Sequence, residues 1–138
     1  MIGEFLHTID AKGRCSLPAK FREELGAEIV VSKGLDDCLF VFSLSEWEKF
    51  KEKVLAMPFA ASRKPQRYFL SSAHNAEIDK LGRILIPAVL RDFAHIEKDI
   101  TINGVSSRAE IWNRKTWEDY SSGMASDGIA DMLEQLDF

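Results

Sequence analysis

Runs of apolar residues divide the chain into short elements, and the order of those elements occurs twice. Apolar positions flank a polar turn at Phe5–Ile9 and Cys15–Leu17, and again at Ala76–Ile78 and Ile84–Ile86. Short apolar runs around a Gly-containing loop predict a β-hairpin. After the first hairpin, Pro18 near the start and Gly26 just past the end mark a short helix, with Phe21 and Leu25 four apart on its core face. Glu28–Ser32 and Cys38–Phe42 read as strands joined by a turn at Lys33–Asp37. Strands this apolar are covered on both faces, or covered by a partner. Ser43-Leu44-Ser45-Glu46 fits a capping box. The helix it opens carries an apolar stripe of Trp47, Phe50, Val54 and Leu55, and ends at Met57-Pro58. Residues 58–66, with Pro58 and Pro65 and small residues between them, read as a linker. Arg67–Ala73 reads as a short helix entering the second hairpin.

The second copy repeats the order. Pro87–Phe93 is the short helix, Asp99–Ile102 a strand, Asn103-Gly104 a turn and Ala109–Trp112 the next strand. Asn113 is placed to cap a helix carrying Trp117 and Tyr120. One inserted residue aligns Gly34 with Gly104, Phe42 with Trp112 and Trp47 with Trp117. The expected organisation is a first repeat at 1–57, a linker and short helix at 58–75, a second repeat at 76–120 and an acidic tail at 121–138. In the tail, Ile129, Met132, Leu133 and Leu136 would share one face of a helix. The copies lie 69 positions apart, from Ile9 to Ile78, too far for a solenoid unit. Two small domains follow, each near the lower size limit for independent stability, so close association of copies or subunits is expected.

The most alike stretches are residues 9–22 and 78–91, identical at seven of fourteen positions: Ile9/Ile78, Asp10/Asp79, Gly13/Gly82, Arg14/Arg83, Pro18/Pro87, Ala19/Ala88 and Arg22/Arg91. Gly13 and Gly82 suit a position of positive φ. Asp10 and Asp79 can accept backbone N–H bonds within the loop, and can hold the Arg four positions on. A turn needs Asp and Gly but no long cation. Both copies keep one, and Lys12 and Lys80 add a second. Basic groups on two equivalent hairpin tips suit a polyanion, since Arg grips phosphate or a guanine edge with two prongs. The plain alternative is a turn with a solvated Arg; Lys20 and Arg22 either sit near the hairpin tip or are solvated, with solvation the default reading.

Composition qualifies this. The 138 residues are 46% apolar, and the net charge is −4. Six of the 22 acidic residues lie in 118–138, where there is no Lys or Arg, so 18 basic residues face 16 acidic ones elsewhere. Arg63, Lys64 and Arg67 form a basic cluster before the second hairpin. Local fields matter more than the sum. The first residues lack the charged start and apolar core of a secretory signal, and no stretch of about 20 apolar residues could span a membrane. Cys15 and Cys38 fit no metal or redox spacing and are expected to be reduced, in the cytoplasm. His7, His74 and His95 are isolated from any triad or metal set. Two Asp-bearing loops bring to mind the paired carboxylates of aspartic proteases, but an Arg beside each Asp would hold it ionised. No enzyme, metal or cofactor is expected.

The Asp-x-x-x-Arg hairpin, followed by Leu-Pro or Ile-Pro, a short helix and two strands, resembles the SpoVT–AbrB swapped-hairpin family over about residues 1–120. Two copies in a chain of this length resemble its MraZ branch. The matching residues are Asp10, Lys12, Gly13, Arg14, Leu17 and Pro18, then Asp79, Lys80, Gly82, Arg83, Ile86 and Pro87. The resemblance implies an α+β fold of two tandem swapped-hairpin, β-barrel-like domains with short flanking helices, assembled into a ring-shaped homo-oligomer. It implies a nucleoid-associated transcriptional regulator of the bacterial division and cell-wall gene cluster. Its partner would be double-stranded DNA, at direct repeats in the promoter of its own operon. Arg14 and Arg83, with Lys12 and Lys80, would contact that DNA, and no membrane or small-molecule substrate is involved. Leu81 stands where the first copy has Lys12, so the two tips differ. The rival reading is an antitoxin-like protein-interaction module acting through the tail.

Overall fold

A computed structural model describes residues 1–136. The architecture mixes helices with antiparallel sheet. The first repeat contributes β1 (Ile2–Thr8), β2 (Arg14–Ser16), α1 (Ala19–Leu25), β3 (Glu28–Lys33), β4 (Leu39–Ser43) and α2 (Leu44–Ala56). Next come α3 (Phe59–Pro65) and a π-helical turn at Gln66–Leu70. The second repeat contributes β5 (His74–Glu77), β6 (Arg83–Leu85), α4 (Ala88–Phe93), β7 (Asp99–Val105), β8 (Ala109–Asn113) and α5 (Arg114–Ser122). A short α6 (Ile129–Leu133) lies between 3-10 turns at Met124–Ser126 and Glu134–Leu136.

The repeats interlock. Six strands form one sheet in the order β1-β7-β8-β4-β3-β5. Each repeat's first strand therefore pairs with the other repeat: Ile2 to Thr8 run antiparallel to Val105 to Asp99, and His74 to Glu77 run antiparallel to Val31 to Glu28. The two hairpin return strands, β2 and β6, pair with each other as a separate ribbon. Reciprocal backbone bonds tie the crossing: Leu17 N–H donates to the Gly82 carbonyl (3.0 Å) and Ile86 N–H to the Gly13 carbonyl (2.8 Å).

The larger core lies between sheet and ribbon. Alternation along the strands sends Ile29, Val31, Ile100 and Ile102 toward Cys15, Ile84, Leu17, Ile86, Phe21 and Leu90. Fully burying one such side chain is worth about 1.5–3 kcal/mol, and both repeats supply this core. The opposite face holds Val30, Cys38, Phe40, Phe42, Trp47 and Trp112, with Phe50, Phe69 and Trp117 packed against them.

Several sequence expectations hold and several do not. Ser43 caps α2 by accepting from the Glu46 N–H, and Asn113 caps α5 by accepting from the Thr116 N–H. The segment 58–66 is helix rather than an open linker. Pro58 stands at its N-cap, where a missing N–H costs nothing, and Ser62 is buried, its hydroxyl donating to the Val54 carbonyl at 2.7 Å. Pro65 withholds one helical bond, and the chain continues as the π-helical turn. Asn103-Gly104 is strand, not turn. Gly104 pairs with Gly3, and a Cβ on it would lie 2.6 Å from the Ile2 nitrogen. The turn falls instead at Ser106, φ +79. Strand register pairs Lys33 with Leu39 and Gly104 with Ala109, so Gly104 takes the place of Lys33 and not of Gly34. The tail is broken into short helical turns, with Gly128 at φ +81 opening α6. Its last two residues, Asp137 and Phe138, lie outside the described residues.

Candidate nucleic-acid interface

Both hairpin tips are built alike. The Asp10 carboxylate accepts from the Lys12 and Arg14 N–H groups (3.0 and 2.8 Å) and from Arg14 Nε (2.8 Å). Asp79 accepts from the Leu81 and Arg83 N–H groups (both 2.9 Å) and from Arg83 Nε (2.8 Å). Gly13 and Gly82 take φ +88 and +78 and donate to the Asp10 and Asp79 carbonyls. Pro18 and Pro87 follow each return strand with φ −54 and −57, ending the ribbon and starting α1 and α4.

Those bonds set the electrostatics. The Arg14 N–H held by Asp10, then the guanidinium and the Lys12 N–H, keep this carboxyl below the usual carboxylate range despite some desolvation. The Arg83 N–H does the same for Asp79, joined by the guanidinium and the Leu81 N–H. Each arginine is gripped through Nε, which fixes the plane of its guanidinium. Among the described residues its two terminal nitrogens donate no hydrogen bond, and the side chain is half-buried, 34% exposed at Arg14 and 29% at Arg83.

The ribbon brings the two arginines together. Arg14 pairs with Leu85, Cys15 with Ile84 and Ser16 with Arg83. Directly paired residues share a face and neighbours alternate. Cys15 and Ile84 point into the core, each 1% exposed, so Arg14, Ser16, Arg83 and Leu85 form the outward face. Arg14 and Arg83 sit on a diagonal of this ribbon, about 7–8 Å apart at the backbone. Lys12 and Lys80 are exposed at the tips but are not equivalent: Lys12 is two positions past its Asp, Lys80 one.

A second pair of cations joins the tips: Arg22, for which solvation is the default sequence reading, and Arg91, which sequence reading does not single out. Arg22 does not simply extend into solvent. It lies against the other repeat's tip, where a Cβ on Gly82 would meet its Cζ at 2.6 Å. Arg91 lies likewise under the first tip, where a Cβ on Gly13 would meet its Cζ and Nε at 2.9 Å, and its Nε donates to the Ile86 carbonyl at 3.0 Å. The signal was the identity of these positions in both copies. Each tip thus holds one carboxylate and two guanidinium groups, one from each repeat. The basic cluster Arg63, Lys64 and Arg67 lies elsewhere, on α3 and the π-helical turn.

Among the described residues, no group of His, Cys, Asp and Glu is placed to hold a metal ion, and no helix is long and apolar enough to cross a membrane. Comparison with known proteins adds the following. A protein called Transcriptional regulator MraZ from Thermoanaerobacter sp. (strain X514) is 51% identical over 99% of this chain and 98% of its own length. One of the same name from Desulfitobacterium hafniense (strain Y51) is 50% identical over 98% and 95%. The solution structure of PHS018 from Pyrococcus horikoshii covers 80% of this chain and 86% of its own, at 17% identity and a TM-score of 0.34, too loose a match to bear on the fold. The family model described as "MraZ protein, putative antitoxin-like" matches twice, at residues 1–67 and 69–136. With both repeats accounted for in that way, the chain belongs to the MraZ family.

Proposed function

We propose that this protein is a DNA-binding transcriptional regulator that reads repeated sites through the outward face of the β2–β6 ribbon. The relatives named above are transcriptional regulators by name. The observation that carries the reading is the ribbon itself, which sets the half-buried Arg14 and Arg83 on one outward face, each held to its Asp through Nε alone. A planar fork suits both phosphate and the O6/N7 edge of guanine. The pairing of each first strand with the other repeat supports a swapped-hairpin reading, and the ribbon joins the two tips.

The mechanism follows from magnitudes. Phosphate contacts supply affinity that falls with salt, and base-edge contacts supply choice of sequence at about 1–3 kcal/mol each. One hairpin tip carries too few cations to hold DNA tightly alone. A ring-shaped homo-oligomer multiplies ribbons, so that binding at one DNA repeat raises the local concentration of the next. Direct repeats in the promoter of its own operon, within a division and cell-wall gene cluster, are the partner this reading implies. Lys12 and Lys80 add cations at the tips, and Arg22 and Arg91 support each tip from the other repeat.

The test is binding of the promoter fragment over a salt series. Arg14→Ala and Arg83→Ala should each weaken binding about 5- to 150-fold, the equivalent of one base contact, with the helical signal and assembled mass unchanged. Undiminished binding by the double variant would overturn the reading. The family description and the exposed apolar side of α6 favour a second reading, an antitoxin-like interaction module. It requires Met132→Asp to abolish capture of a partner protein while promoter binding survives.

A further inference from the structure

Two exposed apolar surfaces take no part in the ribbon. One is the corner between α2 and α3, where Leu55 and Met57 are exposed and Phe59 is 79% exposed. The other is the tail, where Ile129, Met132 and Leu136 are exposed. The repeat puts them in the same structural place. Phe59 opens α3 sixteen residues after the cap Ser43, and Ile129 opens α6 sixteen residues after the cap Asn113.

Their charges are opposite. From Lys53 to Ala76 the chain carries Lys53, Arg63, Lys64 and Arg67 and no Asp or Glu. From Thr116 to Leu136 it carries Glu118, Asp119, Asp127, Asp131 and Glu134 and no Lys or Arg. Their packing differs as well. Ser62 pins α3 onto α2, whereas α6 makes its main contacts with the 3-10 turns on either side of it. Two apolar surfaces of opposite charge, one following each repeat, are complementary to one another.

We propose that the tail of one copy docks head-to-tail on the α2–α3 corner of a second copy. Ile129, Met132 and Leu136 would cover Leu55, Met57 and Phe59, while Asp131 and Glu134 face Arg63 and Lys64. Because the contact joins unlike surfaces, it leaves a free tail and a free corner on every assembled pair, and it propagates until the rotation closes a ring. The proposal rests on the self-assembly proposed above and identifies the contact that drives it.

The experiment is the mass of the full-length chain by light scattering, without DNA, at low and physiological salt. Four proteins are compared: wild type, Asp131→Lys/Glu134→Lys, Arg63→Glu/Lys64→Glu, and the chain carrying all four changes, with thermal unfolding as the control for folding. Each pair of changes should lower the assembled mass. The fourfold variant should restore it, as should mixing the two paired variants in equal amounts, since each then offers the charge the other lacks. A monomeric wild type would defeat self-assembly as a whole. An assembled wild type whose mass neither pair changes would defeat this contact alone, and a corner variant that keeps its mass but loses promoter DNA would reassign the basic cluster to DNA.

Discussion

At the scale of single residues, the tips depend on positions where no other side chain fits. Gly82 combines a positive φ with a guanidinium lying against it. Gly82→Ala should cost about 1–3 kcal/mol from φ alone, with a further loss from displacing Arg22. In an Arg22→Ala background only the first part should remain, which a double-mutant cycle by urea unfolding would resolve. The carboxylates give a pH signature. Asp10 and Asp79 have depressed values in the folded state, so the unfolded chain takes up their protons first as pH falls. Their contribution is present above about pH 3.9 and disappears as pH drops through the depressed values. The unfolding temperature of Asp10→Asn/Asp79→Asn should lie below that of wild type at pH 6 and converge on it in acid. The Asp–Gly–Arg turn was legible in the sequence because every partner lies within five residues. The approach of Arg22 to Gly82 was not, because it joins residues 60 positions apart whose encounter depends on the exchange of strands.

At the scale of elements, Cys15 reports on the ribbon. Burial under β6, with the Asp10 charge adding to it, pushes its thiol up to about 12. Cys38 is buried on the other face of the sheet, and its thiol is also raised. Both should resist a thiol reagent at pH 8 in the folded protein. Substituting Ile84 by Ala should make Cys15 react sooner than Cys38, by opening the ribbon without unfolding the sheet; mass spectrometry of the labelled peptides would read this out. Caps and apolar stripes located α2 and α5 correctly, since the bonds involved are local. The segment 58–66 misled because two prolines usually mark a loop. Here Pro58 fills a cap, and Ser62 gains a buried partner that only tertiary packing supplies. Asn103-Gly104 misled for a related reason. The glycine serves the close approach of β1, where its partner Gly3 lies 101 positions away in sequence, rather than a turn.

At the scale of the whole molecule, the repeat was legible but its interlocking was not. The apolar runs of Glu28–Ser32 and Cys38–Phe42 call for cover on both faces, or from a partner; they cannot say that the cover comes from the other copy. One sheet drawn from both repeats, over a core that both fill, should melt as one unit. Near-ultraviolet and far-ultraviolet dichroism should therefore give coincident thermal transitions, although the sequence divides into two similar halves. Two separate transitions would mean that the halves hold together more weakly than their shared strands require.

The crossing of strands has one further consequence. Two identical chains joined in this way would have to meet in solution, and every substitution would appear on both sides of the axis. Joined in one polypeptide, the halves find each other at any dilution. Each can then change alone, so that Lys12 on one side and Leu81 on the other give the molecule a left and a right hand. A protein with two unlike hands can tell which way round its target lies.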